Sequence, residues 1–356
     1  MACFDDYEMS CSGRGRRFAM RRVAQIPLKG RNRLDVNTTS TRIVIGICTR
    51  GRDALLRRLI DSILLQQVPR DHDVSLLIVD NNDHPQVQSA LHDLGGPFPI
   101  EVVHEGRVGL VHARNRVLDE AASRGADWFI GVDDDEWVAE DWLAQFITGM
   151  KALGRPILLG PCQFVHDESL SPYVPPMQFS VRKHGRRPSV YAAGNFALRR
   201  DMFDQAHGPG LRFDPAFNES GGEDSEFLLR AELQYGLVPA SWPDAVVFED
   251  WVGVRATLRH RMRREWRVRC TWYRIAWLHC RMGLRPSYLR MIRQALGQLI
   301  RNLVYGAIGL VVGVAMLLVR RPIARKRIGR ALLRLARAYG IIAFFLGVPV
   351  RTYTRR

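Results

Sequence analysis

The last 102 residues of this 356-residue chain hold one acidic side chain, Glu265, against 24 basic ones. Residues 1–41 carry 8 basic and 4 acidic groups and residues 42–254 carry 20 and 31, so the net charge of +16 divides into +4, −11 and +23. That division excludes a uniformly basic protein, because a polyanion lying along the middle region would meet an excess of acid. The basic surface belongs to the C-terminal end. Cysteine patterning is missing too. Cys3, Cys11, Cys48, Cys162, Cys270 and Cys280 form no CxxC pair and no zinc-ligand spacing, which leaves no indication of a disulfide framework or structural metal and makes a reducing cytosol the expected compartment. The first 40 residues contain Asp5, Asp6 and Glu8 and lack the apolar stretch of about 7–15 residues of a secretory leader, so 1–41 reads as a disordered, mildly basic lead. Asn37 and Asn218 open glycosylation-type tripeptides, a pattern frequent by chance. An apolar fraction of 47% with 25% charged residues excludes a wholly disordered or collagen-like chain.

Long apolar runs are few, and they lie in the basic region. Leu303 to Val319 is 17 residues without a charge, bracketed by Arg301 and by Arg320, Arg321, Arg325, Lys326 and Arg327. A membrane span needs about 20 apolar residues, with roughly 17 as the lower limit, so this run is marginal. Ala338 to Val350 is shorter. Across 255–300 and 328–337, arginines alternate with Trp272, Tyr273, Trp277, Leu278, Tyr288, Leu289, Leu332, Leu333 and Leu335 at spacings of three and four. That is the pattern of helices lying in a membrane interface with arginines on anionic headgroups. A soluble helical bundle and a nucleic-acid-binding arm are the competing readings. The Leu, Ile and Val runs count against nucleic acid, and no nucleic-acid partner is expected.

The middle region alternates strands and helices. Residues 42–48 and 74–79 are β-branched apolar runs, 100–104 repeat the signal weakly, and 128–132 repeat it again; helical periodicity fills 55–64 and about 110–123. This order implies an α/β domain with a mostly parallel, Rossmann-like sheet covered by helices, whose ligands bind beyond the carboxyl ends of the strands. Thr49, Arg50, Asp80 and Asp133 to Asp135 each follow a strand's last apolar residue, so one edge should gather them. Three adjacent carboxylates repel one another. Mg²⁺ or Mn²⁺, which takes carboxylate oxygens and substrate phosphates, would offset that cost. The alternative is a solvated acidic turn. A second carboxylate pair, Glu223-Asp224, follows Gly221-Gly222 and opens a helix, where acids also serve simply to meet the helix dipole.

In order along 42–270, Ile47-Cys48-Thr49-Arg50-Gly51-Arg52, Ile78-Val79-Asp80-Asn81, Gly109 to Asn115, Val132-Asp133-Asp134-Asp135-Glu136, Gly194 to Arg200 and Gly221-Gly222-Glu223-Asp224 resemble the motifs of family 2 glycosyltransferases with the GT-A fold. The resemblance implies a catalytic domain over 42–254, followed by a helical, membrane-associating region over 255–356. It implies that Thr49 and Asp80 hold the base and ribose of a nucleotide-sugar donor, with Arg50, Arg114, Asp134, Gly194 and Asn195 lining the donor pocket. Asp135 is then the metal ligand, with Asp133 beside it and toward the ribose, Asp224 the catalytic base and Glu223 its neighbour. Two departures stand out. Many members place a His where this chain has Glu249-Asp250, and the Arg263-Arg264-Glu265-Trp266 run lacks the leading Gln of a processivity element.

The implied reaction is inverting and metal-dependent: a UDP-sugar donor, more expected than GDP, and a lipid-linked saccharide or glycan acceptor, in polysaccharide assembly at the cytoplasmic face of an anionic membrane. Two other classes compete. A sugar-1-phosphate nucleotidyltransferase should carry a Gly-rich loop with Arg and Lys after the first strand, where this chain has only Thr49 to Arg52. A non-catalytic GT-A scaffold serving as a membrane or nucleic-acid adaptor would have no use for Asp135 and Asp224.

Overall fold

The computed structural model describes residues 40–351 apart from 88–90, 92–94, 178–182, 189–190, 192–193 and 286. The expected N-terminal lead, but for its last two residues, lies outside the described residues. The first strands and helices follow the apolar patterning: β1 (Thr41–Thr49), α1 (Asp53–Leu64), β2 (His72–Asp80), β3 (Ile100–His104), α2 (Leu110–Ser123) and β4 (Trp128–Asp133). Next come β5 (Glu136–Val138), α3 (Trp142–Leu153), β6 (Ile157–Leu159), β7 (Cys162–Val165), β8 (Asn195–Arg199), a single turn over Arg200–Phe203, α4 (Glu223–Tyr235), β9 (Ala240–Ser241) and β10 (Val247–Asp250).

The strands form a seven-stranded sheet in the order β3-β2-β1-β4-β8-β6-β9. Its first four strands are parallel; β8 runs antiparallel to both β4 and β6. The fold is GT-A. Alternation along each strand sends Ile43, Ile45 and Ile47 to one face with Leu56, Leu59 and Trp142, and Val44, Leu77 and Phe129 to the other with Val111, Val117 and Phe227. Helices therefore cover both faces. Gly46 and Gly131 stand opposite each other in β1 and β4, where a Cβ would come within 2.3 Å of Phe129 and 2.4 Å of Phe196 respectively, so both aromatic rings occupy the space their missing side chains leave.

A second sheet, β5-β10-β7, stands beyond the acidic edge of the first. It brings Glu136 opposite Glu249. Sequence patterning marks only β10, as the apolar run Ala245-Val246-Val247-Phe248; β5 and β7 are three and four residues long, and β5 begins inside the acidic run itself.

The C-terminal region is three helices, α5 (Leu258–Arg281), α6 (Tyr288–Leu318) and α7 (Ala324–Phe345). Thr257 caps α5 by accepting from the His260 amide, and Ser287 caps α6 by accepting from Arg290. α5 departs from the interfacial expectation, because its apolar face packs on protein. Ile275 joins the core under Phe227, a Cβ on Gly222 would sit 2.4 Å from Thr271, and His279 Nε2 lies 3.3 Å from Glu226. Glu265 is buried. Arg337 donates to it at 2.8 Å and Arg261 at 3.5 Å, and although burial opposes ionisation these two arginines hold its carboxyl below the usual range. α6 keeps an exposed apolar face and is, by length and composition alone, long and apolar enough to cross a membrane.

Candidate active site

Parallel pairing aligns the strand ends. Thr49 stands in register with Asp80, and Cys48 with Asp133, so the polar residues after β1, β2 and β4 share one edge. The turn after β4 folds the acidic run back toward β1. There Thr49 Oγ1 donates to Asp134 at 2.8 Å, and Arg52 donates to Asp134 at 2.8 Å and to Asp135 at 3.2 Å.

Arg114, on α2, links this cluster to the second carboxylate pair. Its guanidinium donates to Asp133 Oδ1 at 2.9 Å and to Glu223 Oε1 at 2.8 Å. The Phe213 ring lies 5.5 Å from it. Glu223 begins α4 just after Gly222, whose φ of +89° is open to glycine and strained for other residues. Burial pushes the Glu223 carboxyl up to about 7 against the opposing charge of Arg114, with Asp224 reinforcing the rise, and its Oε2 is buried without a hydrogen-bond partner. Asp224, half-buried, accepts from the Ser225 amide at 2.6 Å.

The second sheet closes the far side. Glu136, Cys162 and Glu249 bring their ligand atoms within 4.8 Å of one another, and Glu136 also accepts from the Asp133 amide at 3.3 Å. Burial raises Glu249 to about 7, with Asp135 adding to the rise and Arg255 opposing it, and burial with the charges of Asp133 and Glu249 raises Glu136 well above the usual carboxylate range. Asp133 rises to about 6 through burial, opposed by Arg114 and reinforced by Asp135. Arg255, at the start of the C-terminal region, reaches back into this cluster. It donates to Asp135 at 2.6 Å and pairs with Glu249. Arg58, stacked 4.0 Å over Trp137, donates to Asp250 at 2.6 Å.

The donor set fits a hard divalent cation. Asp133, Asp135, Glu136 and Glu249 offer carboxylate oxygens, with Cys162 the single soft atom, and their mutual repulsion is what such an ion relieves. Gly194 lets the backbone approach: a Cβ there would lie 2.8 Å from Glu136 Oε1 and 3.2 Å from Asp133 Oδ2.

Among the residues singled out from sequence, the structure thus brings together Thr49, Arg114, Asp133, Asp134, Asp135, Gly194 and Glu223. Asp224 stands next to Glu223 in the first turn of α4, whereas Asp80, Arg50 and Asn195 are placed differently. Asp80 lies on the same edge, but its carboxylate accepts from the amides of Asn82, Gln86 and Val87, and although burial opposes ionisation these bonds hold it below the usual range. Arg50 is paired with Asp83 at 3.3 Å on the exposed rim. The Asn195 side chain points into the interior, where it accepts from Trp142 Nε1 at 2.9 Å and donates to the carbonyls of Pro161 and Ala245. Sequence reasoning missed Arg52, Arg58 and Arg255. Arg52 stood inside a quoted motif, whereas Arg255 is one arginine among many and carried no distinguishing signal.

Residues 44–213 match the family model for "Glycosyl transferase family 2". No curated protein sequence matches significantly. Among solved structures, a mannosyltransferase from Pyrobaculum calidifontis, in complex with GDP-Man and Mn²⁺, superimposes with a TM-score of 0.54 at 18% identity, over 87% of this chain and 88% of that one. S. aureus TarS residues 1–349 in complex with UDP-GlcNAc give a TM-score of 0.49 at 12% identity, over 86% and 92%. Against a longer TarS structure this chain spans 38% of the other's length, with a TM-score of 0.45 at 14% identity over 62% of this chain.

Proposed function

We propose that this chain, whose residues 44–213 match the family 2 glycosyltransferase model, is an inverting, metal-dependent glycosyltransferase that transfers a sugar from a nucleotide-diphosphate donor to a lipid-linked saccharide or glycan. The observation that carries this reading is Arg114, which holds Asp133 and Glu223 in one constellation.

In this reading Thr49, at the end of β1, and Asp80, beside it in register, hold the base and ribose, while Asp133 and Asp134 face the sugar-nucleotide from the next strand. Gly194 keeps the floor of the pocket open. Asn195 acts beneath that floor, fixing Trp142 rather than touching the donor, and Arg50 meets the donor from the rim. Asp135 and Asp133, with Glu136 and Glu249 in the same cluster, would hold Mg²⁺ or Mn²⁺, and the bound ion supplies charge neutralisation for the departing diphosphate. Arg52 and Arg255 add positive charge on the same side. Asp224 removes the proton from an acceptor hydroxyl as that oxygen attacks the anomeric carbon; the new C–O bond forms opposite the breaking bond to the diphosphate, which inverts the centre. Glu223, with Arg114, fixes the start of α4 and hence the place of Asp224.

The resemblance read in the sequence favours a UDP-sugar, and the GDP-Man complex of the archaeal mannosyltransferase makes GDP the alternative to include. A lipid-linked acceptor is supported by an apolar groove of about 600 Å³ between α5 and α7, lined by Leu258, Met262, Trp266, Leu332, Leu335 and Tyr339 with Arg259 and Arg263 at its edge. One lining residue, Leu258, follows Arg255, whose guanidinium pairs with Asp135, by three residues. The basic helices suit the cytoplasmic face of an anionic membrane, as in assembly of a surface polysaccharide.

The test is thermal stabilisation of the full-length, detergent-solubilised protein by UDP- and GDP-sugars with and without Mn²⁺. Ligand at 100 times its Kd adds about 2.7 kcal/mol. A Mn²⁺-dependent shift with one nucleotide supports the donor site and identifies the donor; no shift with any nucleotide sugar removes the proposal.

A further inference from the structure

The helix that meets the length and composition of a membrane span is packed along one side against a helix that carries arginines. In α6, Gly306, Gly309 and Gly313 face α7: a Cβ on each would lie 2.7 Å from Leu335, 3.2 Å from Ala331 and 2.7 Å from Ile328 respectively. The α7 numbers fall as the α6 numbers rise, so the helices run antiparallel, and small residues allow the close approach. This contact fixes the depth of α7 relative to the middle of the uncharged run.

Within that window α7 carries arginines. Arg334 lies 5.4 Å over the Tyr305 ring, Arg327 Nη1 is 3.9 Å from Met316 Sδ, and Arg330 is exposed between them. If α6 crossed a bilayer, residues 305–316 would sit deep in a hydrocarbon layer about 30 Å thick, and three guanidinium groups would go with them. Charged groups at mid-depth are the most costly to insert, and snorkelling serves those near helix ends. The apolar row that remains exposed on α6 includes Ile308, Val311, Val314 and Leu318. With the α7 arginines beside it, the hairpin presents an apolar strip flanked by cations, the form that lies in an interface and meets anionic headgroups.

We infer that the α6–α7 hairpin lies in the plane of one anionic leaflet, with both ends of α6 on the same side of the bilayer, and that it anchors the enzyme without spanning. This rests on the membrane association proposed above and specifies its geometry. The lipid is recognised by its negative headgroup together with its acyl layer.

Two measurements on the full-length protein test it. In sealed membrane vesicles of both orientations, single cysteines introduced as Ser287→Cys and Arg321→Cys, at opposite ends of α6, into a background with all six native cysteines replaced by Ser or Ala, are treated with a membrane-impermeant maleimide. Labelling of both from the same side is expected; labelling from opposite sides overturns the inference. In flotation with vesicles of phosphatidylcholine alone or mixed with phosphatidylglycerol, binding should require the anionic lipid and yield to high salt. Arg330→Glu with Arg334→Glu should weaken binding by at least about tenfold, and Val311→Asp should weaken it independently. Failure to float on any vesicle, or anchoring that resists both salt and alkaline carbonate, also overturns it. Nucleotide-sugar stabilisation of the same preparations separates failure of the hairpin geometry from failure of the glycosyltransferase reading.

Discussion

The guanidinium of Arg114 and the carboxylate of Glu223 meet at 2.8 Å across 109 residues of sequence, and both are almost completely buried. Their contact sets the distance between the donor-side acids and the residue proposed as base. Removing one member of a buried pair leaves an uncompensated charge at a cost of about 3–5 kcal/mol. Arg114→Ala should therefore lower unfolding stability by about 3 kcal/mol in urea denaturation, whereas Arg50→Ala, which breaks only an exposed pair with Asp83, should cost less than about 1 kcal/mol. Equal effects would remove Arg114 as the strut of the site.

Asp224→Asn should cut sugar transfer by about 10²–10⁴-fold, the range of general-base assistance, with donor-induced stabilisation nearly unchanged. Asp135→Ala should instead abolish the Mn²⁺-dependent part of that stabilisation. Full turnover by Asp224→Asn would move the base elsewhere.

Arg255 pairs with both Asp135 and Glu249, so a divalent cation entering the cluster competes with an internal one. Arg255→Gln should bind Mn²⁺ several-fold more tightly in donor-free protein, as read by titration calorimetry or by loss of the free Mn²⁺ resonance signal. Weaker binding would instead make Arg255 part of the scaffold that positions Asp135.

Burial lifts Glu223 to about 7 from an ordinary value of 4.5. A carboxyl raised on folding binds protons more tightly in the native state, so its contribution to stability is complete below about pH 4.5 and is lost as pH rises through about 7. In EDTA, the stability difference between wild type and Glu223→Gln should shift against wild type between about pH 5 and pH 8. A difference that stays constant over that window would show that Glu223 titrates outside it.

Much of the site's placement was legible because it depends on strand ends. A β-branched run followed at once by a polar residue fixes the last buried position of a parallel strand, and Thr49, Asp80 and Asp133 fall at one edge for that reason. The roles of individual side chains were less legible. Asp80 and Asn195 occupy the expected backbone positions, yet loop amides surround the carboxylate of one and the interior takes the side chain of the other. The first outcome is set within seven residues by the loop after β2, whereas the second depends on Trp142, Pro161 and Ala245, 34 to 53 residues away. Arg255 reaches Asp135 across 120 residues from a region whose arginines all look alike in sequence, so only the packing of β10 and the turn after it singles that one out.

Glu265 has a last consequence. It is the single carboxylate side chain in 255–356, and it is engaged inside the helical region by Arg337 and Arg261. The outward face of α6 and α7 is left with arginines and Lys326 and with no carboxylate side chain. If this face binds anionic lipid as proposed, its own side chains offer no carboxylate through which acid could tune that binding, and release would be expected to follow added salt or a fall in the lipid's charge.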